Sequence, residues 1–125
     1  MAQKFRFRDF PVYKDAIAYR IKIKNLVKKY FPIEEKYLLI DQIIRAANSV
    51  VLQIAEGSDR GTDRDFALFL NRSHTSLCEI VACLDIALKD KYITEAVHNK
   101  YLKEAEDLAN QITAFRRSLI KSPKK

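Results

Sequence analysis

Between Phe66 and Ala87 the residues Phe66, Leu70, Ser73, Leu77, Ile80, Leu84 and Ala87 recur at alternating spacings of four and three. A strand turns its side chains to opposite faces at every step and cannot use that rhythm, whereas a helix gathers all of these residues on one stripe. The segment is therefore expected to form a long helix with one buried side, and such a helix needs partners to cover it. Three other stretches can supply them. Tyr13, Ala16, Arg20, Ile23, Val27 and Tyr30 form one stripe, Ile40, Ile43, Ala47, Val50 and Ile54 a second, and Tyr101, Ala105, Leu108, Ile112, Phe115 and Leu119 a third. Only two Gly and three Pro occur in 125 residues, too little turn material for an all-β chain. The expected fold is all-α, an antiparallel up-down-up-down four-helix bundle forming one domain over residues 1–125.

The boundaries follow from local chemistry. Asp9 can cap the first helix, Pro11 fits its first turn, and Pro32 stops it after Phe31. Glu34 and Glu35 suit the positive end of a second helix, and Gly57 suits its C-terminal cap. Thr62 or Asp63 can open the third helix and Thr94 the fourth. Residues 1–10 alternate charge and aromatic through Lys4, Phe5, Arg6, Phe7 and Arg8, a period of two that suits an extended arm. Residues 120–125 form a basic tail, and the antiparallel topology brings arm and tail to the same end of the bundle.

The second helix is unusually apolar. Gln42, Arg45, Ser49, Gln53 and Glu56 fall within an arc of roughly 80°, while Leu39, Ile40, Ile43, Ile44, Ala46, Ala47, Val50, Val51, Ile54 and Ala55 take most of the remainder. A helix that covers one core needs an apolar stripe only about a third of its circumference. Either this helix lies deep in the bundle, or its surplus packs against another copy of the chain. If the second and third helices pair across the Gly57–Thr62 turn, Arg45 comes level with a point about one turn from Glu79, and the two are expected to form an ion pair that fixes position.

The net charge of +7 is unevenly distributed: residues 1–30 carry nine Lys/Arg against two Asp, and the rest of the chain balances 14 against 14. Clustered cations neutralise phosphates and gain affinity through counterion release, so RNA or DNA is the expected partner. The candidate contacts are Lys4, Arg6, Arg8, Lys14, Arg20, Lys24 and Lys28, with Arg116, Arg117 and Lys121 from the other end of the chain. Phe5, Phe7 and Phe10 would either stack exposed bases or clamp the arm onto the bundle.

Other chemistries find little support. Glu95 and His98 have the spacing of a di-iron bundle ligand pair, but no second copy of the motif occurs. His74 and Cys78 supply only two ligands to a zinc site, so neither metal nor cofactor is expected. No serine elbow, Gly-rich phosphate loop or calcium-loop pattern is present, and an enzyme is not expected. Cys78 and Cys83 read as free thiols, and without a signal segment or an apolar run of membrane length the expected location is cytoplasmic, with no membrane partner.

The run Gln42-Ile43-Ile44-Arg45-Ala46-Ala47-Asn48-Ser49-Val50, followed by Ile54-Ala55-Glu56-Gly57, Arg60, Phe66, Phe69-Leu70, Ser76 and Glu79, resembles the bacterial four helix bundle protein family. That family is also called the ribosomal-RNA intervening-sequence protein or S-twenty-three family. The likeness extends to the Phe7–Pro11 opening, and departs from the family pattern at Gln53 and Thr75. It implies a four-helix bundle similar to proteins that assemble as ring-like homopentamers, with a related branch that partners reverse transcriptase and nucleic acid. It brings no catalytic residues, and gives Gln42, Arg45, Ser49, Gln53, Glu56, Gly57, Arg60 and Glu79 structural or interface roles.

Overall fold

A computed structural model describes residues 4–121. Among them are four α-helices, α1 (Pro11–Tyr30), α2 (Leu39–Ser58), α3 (Asp63–Lys89) and α4 (Glu95–Ile120), with single 3-10 turns at Arg6–Asp9 and Ile33–Glu35. Each helix packs on its neighbours around a square, α1 on α2, α2 on α3, α3 on α4 and α4 on α1, and no close backbone contact crosses a diagonal. Paired contacts fix the directions. On the α2–α3 seam Ser76 bonds to Ser49 and Gln42 to Glu79, so partners fall on one helix as they rise on the other. Arg6 to Ser58 with Arg20 to Asn48, Asp15 to Gln111 with Lys22 to Glu104, and Phe66 to Phe115 with Asp85 to His98 establish the same antiparallel relation at the other three seams. The all-α four-helix bundle expected from the stripes is the architecture observed.

Every residue of the α3 stripe, from Phe66 to Ala87, is buried. They meet Ile23 and Leu26 of α1, Ile43, Val50 and Ile54 of α2, and Leu108 and Ile112 of α4 in one core. Ser73, the polar member of the stripe, donates from its hydroxyl to the Val50 carbonyl at 2.8 Å, so its burial leaves no unmet bond. Thr62 and Thr94 cap α3 and α4, accepting the backbone N–H of Asp65 and Val97. The α3 C-terminus closes with Lys91 at φ 66 and with Tyr92 N–H donating to the Ala87 carbonyl at 2.9 Å. This is the six-to-one closure that usually recruits glycine.

Phe10, not Asp9, stands at the N-cap of α1, and no side chain caps that helix, because Asp9 is taken up in the preceding turn. The structure departs from expectation in four further places. The arm is not extended over residues 6–9: Arg6–Asp9 form a 3-10 turn, because Phe7 and Phe10 fold inward onto the rings of Tyr13, Phe66 and Phe115. The second helix begins at Leu39, not at Glu34 and Glu35, which both lie in a separate turn, although the Glu35 carboxylate accepts the Leu39 N–H at 3.2 Å and so caps α2 from four residues upstream. Gly57 is not the C-cap of α2, which runs on to Ser58 with no glycine at positive φ. Gly57 instead allows close approach, since a Cβ there would lie 2.7 Å from the Phe69 Cβ and 2.8 Å from a Phe66 ring carbon.

The fourth departure is the Arg45–Glu79 pair, which does not form. Arg45, 77% exposed, reaches Asp41 at 3.9 Å, and Glu79 accepts from Gln42 at 3.3 Å. The axial level was right but the azimuth was not: Gln42 and Ser49 lie about 20° apart on the face toward α3, and Arg45 is turned about 40–60° away from both. The apolar girth of α2 is met largely within one chain. Leu39, Ile43, Ala46, Ala47, Val50, Val51 and Ile54 are buried and Ile40, Ile44 and Ala55 half-buried, so of the two explanations the deep position holds for α2 itself. Leu52 alone of its large apolar residues stays open, at 58%.

Candidate functional site

The fold brings the start of α1, the end of α2, the start of α3 and the end of α4 to one end of the bundle. The ring of Phe10, just before α1, meets Phe115 of α4 at 5.3 Å and Phe66 of α3 at 6.2 Å, which seats the arm beside the last turns of α4. Of the ten cations expected to meet nucleic acid, Arg8, Lys14, Arg117 and Lys121 lie exposed near this end, Arg116 is half-buried there, and Lys4 is exposed on the arm. Lys24 and Lys28 are exposed further along α1.

The remaining two are engaged inside the chain. The Arg6 guanidinium donates to the Ser58 carbonyl from Nη2 at 2.9 Å and from Nε at 3.3 Å, and stands 5.7 Å from the Phe10 ring and 5.5 Å from the Phe66 ring. A cation on the negative end of α2 satisfies a carbonyl that the helix leaves open. Arg20 donates to the Asn48 side chain and ties α1 to α2. The three phenylalanines divide similarly: Phe7 and Phe10 pack on the bundle, and Phe5 is exposed against the edge of Phe7.

Between the first turns of α3 and the last turn of α4 lies a cleft of about 660 Å³. Arg64, Asp65, Ala67, Leu68 and Asn71 line one wall, and Arg116, Leu119, Ile120 and Lys121 the other. Spacings of three and four place each set on one helical face. The rotation that sends Phe66 and Leu70 into the core leaves the next face of α3 turned toward α4. Ala67, buried at the floor, ends at Cβ and gives the cleft its depth. Three cations and one carboxylate face this space, and no carboxylate of a described residue pairs with Arg64, Arg116 or Lys121. Around the corner of α3, Arg60 and Arg72 flank the Phe69 ring at 5.0 and 4.7 Å.

Arg64 and Arg72 were not among the expected contacts. Charge counted along the chain hid them, because Asp59, Asp63 and Asp65 cancel Arg60, Arg64 and Arg72 numerically while lying at the turn and the first turn of α3. The signal available was the four-residue spacing of Arg60, Arg64, Leu68 and Arg72.

The residues expected to have structural roles gather mainly along the α2–α3 seam. Ser49, Gln42 and Glu79 bond across it, Gly57 sits in its closest approach, and Arg60 covers Phe69 at its mouth. Gln53 is half-buried, and its amide oxygen has no partner among the described residues. Arg45 and Glu56 point outward.

At the opposite end of the bundle the Tyr92 hydroxyl donates to Glu35 at 2.6 Å, and that bond pushes the phenol up to about 12. On the α1–α4 seam Tyr19 donates to the Tyr101 carbonyl, and burial, with Glu104 adding to it, pushes its phenol well above the usual range. Among the described residues no group of three or more His, Cys, Asp and Glu side chains is arranged to hold a metal ion. His98 bonds to Asp85, and the His74 imidazole faces the Cys78 thiol at 3.7 Å. No helix of the described residues is long and apolar enough to cross a membrane.

The sequence model of the 23S rRNA-intervening sequence protein family matches residues 8–114. Among solved structures, the chain is similar to a protein of unknown function from the S23 ribosomal protein family of Bacteroides thetaiotaomicron VPI-5482. The two share 22% identity and a TM-score of 0.73, over 89% of this chain and 99% of that one. At that identity the likeness concerns the fold. No curated protein matches the chain.

Proposed function

The chain belongs to the 23S rRNA-intervening sequence protein family, and within it we propose that this member is a cytoplasmic, non-enzymatic scaffold that binds RNA or DNA through the basic end of its bundle. The observation that carries this reading is a set of cations at that end that form no ion pair among the described residues, although Asp9, Asp59, Asp63 and Asp65 lie at the same end. Arg8, Lys14, Arg64, Arg116, Arg117 and Lys121 come from the arm and three helices, and none is paired with a carboxylate of a described residue. Unpaired guanidinium and ammonium groups are free to neutralise phosphates and release counterions, which gives affinity without sequence readout. Arg6 supports the site indirectly by holding the arm in place.

The reading includes self-association, with a homopentamer as the expected assembly. Ile33, Tyr37 and Leu38 in the α1–α2 connection are each more than half exposed, as is Leu52 on α2, and they support a contact between copies. Repeating weak phosphate contacts around a ring multiplies affinity by avidity. The same exposed residues favour a second reading, in which the protein docks on a protein partner such as a reverse transcriptase and makes no contact with nucleic acid.

Binding to a structured RNA and a duplex DNA, followed by fluorescence anisotropy across a salt series, separates the two. The double variant Arg116→Glu/Arg117→Glu should bind at least about tenfold more weakly at low salt and show a shallower salt slope. Absent binding at low salt, or affinity indifferent to salt, refutes the nucleic-acid reading. Native mass spectrometry tests assembly, and a monomer at micromolar concentration refutes it.

A further inference from the structure

The cleft between α3 and α4 has a composition that phosphate neutralisation alone does not require. Leu68 and Ile120, each 47% exposed, face it together with Leu119, beneath a rim of Arg64, Arg116 and Lys121. A surface that met only phosphates would gain nothing from these apolar walls. Its volume, about 660 Å³, falls in the range of small-ligand pockets, roughly 300–1,000 Å³. That space accommodates one or two nucleotides and excludes a turn of duplex, whose bases are stacked and turned inward.

We propose that this cleft is a single-strand site: it takes an unpaired segment of RNA or DNA, with one or two bases against Leu68 and Ile120 and the flanking phosphates on Arg64, Arg116 and Lys121. The proposal rests on the nucleic-acid reading above and specifies the form of the ligand. Unstacked bases expose apolar faces, and covering them against aliphatic side chains removes that area from water. The Asn71 amide, which projects into the same space, supplies both a donor and an acceptor to a base edge. Asp65 also lines the cleft, and its carboxylate can accept from an exocyclic base amine. The cations are divided between the two walls, so a backbone crossing the cleft meets positive charge on either side.

The test compares a short labelled single strand with a duplex of the same sequence, by fluorescence anisotropy at low salt, for the wild type and the variants Leu68→Ser and Ile120→Ser. Both positions are half exposed, so the substitutions spare the core, and circular dichroism verifies the fold. The single strand is expected to bind the wild type more tightly than the duplex. Each substitution should weaken single-strand binding about fivefold, near the apolar area lost, and leave duplex binding unchanged. Arg64→Ala should weaken both.

Equal affinity for strand and duplex, or single-strand binding indifferent to both serine variants, overturns the single-strand site and leaves general phosphate binding intact. If neither nucleic acid binds at low salt, the broader reading falls with it. Retention on phosphatidylglycerol vesicles without single-strand binding overturns the proposal in favour of an anionic lipid.

Discussion

Replacing Gly57 by alanine sets two opposed effects against each other inside α2. An interior helical glycine costs about 1 kcal/mol relative to alanine, so propensity alone favours the substitution. The new methyl, however, would lie 2.7 Å from the Phe69 Cβ and 2.8 Å from a Phe66 ring carbon, where ordinary carbon contacts are about 3.5–4.0 Å. A Cβ is tied to its backbone and cannot swing aside, so relief requires α2 and α3 to separate or Phe66 to leave its rotamer. Overpacking of this kind costs typically about 1–3 kcal/mol, and here it acts at once on the Phe69 Cβ, fixed to its backbone, and on the Phe66 ring. The steric effect should prevail, leaving Gly57→Ala about 1–2 kcal/mol less stable than wild type, a fall in Tm of several degrees. Gly61 is the internal control, because a Cβ there meets nothing within 4 Å. Gly61→Ala should be neutral or gain up to about 1 kcal/mol through a less disordered unfolded chain. Urea titrations followed by circular dichroism decide the matter. A Gly57→Ala protein as stable as Gly61→Ala would refute the close-approach explanation.

Arg6→Ala removes the cap on the Ser58 carbonyl and two ring contacts, and should cost about 1–2 kcal/mol in urea unfolding; an unchanged midpoint would mean that Arg6 is idle. Lys91→Gly relieves a left-handed backbone at φ 66 and should raise stability by about 1 kcal/mol at constant m-value. The Tyr92 phenol stands at about 12 in the folded chain against an ordinary 10. Its contribution is therefore complete below pH 10 and drains away as the pH climbs toward 12. Tyr92→Phe should lose less stability across that alkaline window than wild type, and parallel pH profiles would exclude the Glu35 bond as the cause.

Much of this architecture could be read from the chain because burial imposes periodicity. Ser73 was legible as a core position from its neighbours at three and four residues even though its side chain is polar, and Thr62 and Thr94 were legible as caps from chemistry confined to one turn. Contacts that depend on rotation about a helix axis were harder. Arg45 and Glu79 share a level, but an azimuthal difference of about 40–60° sends Arg45 to solvent. Glu34 and Glu35 did signal the start of α2, but the capping carboxylate acts across four residues, so the helix begins later than the acids suggest. The basic cleft was least legible, since Arg64 and Arg116 come from different helices and meet only after folding. Gly57 carried a correct signal of importance and a misleading one of mechanism: adjacency to a turn suggested conformational freedom, whereas the fold uses its missing side chain.

The α2–α3 hairpin also has a temporal consequence. Its helices are joined by only the four residues Asp59–Thr62, so little loop entropy opposes their pairing, and the Ser73 and Ser76 hydroxyls can lock the register as soon as the notch at Gly57 closes. The α1–α4 seam joins opposite extremes of the chain and must wait for a far longer closure. Folding should thus begin at the hairpin, and the basic end, which needs the arm and the last turns of α4, should be the last part of the molecule to acquire its shape.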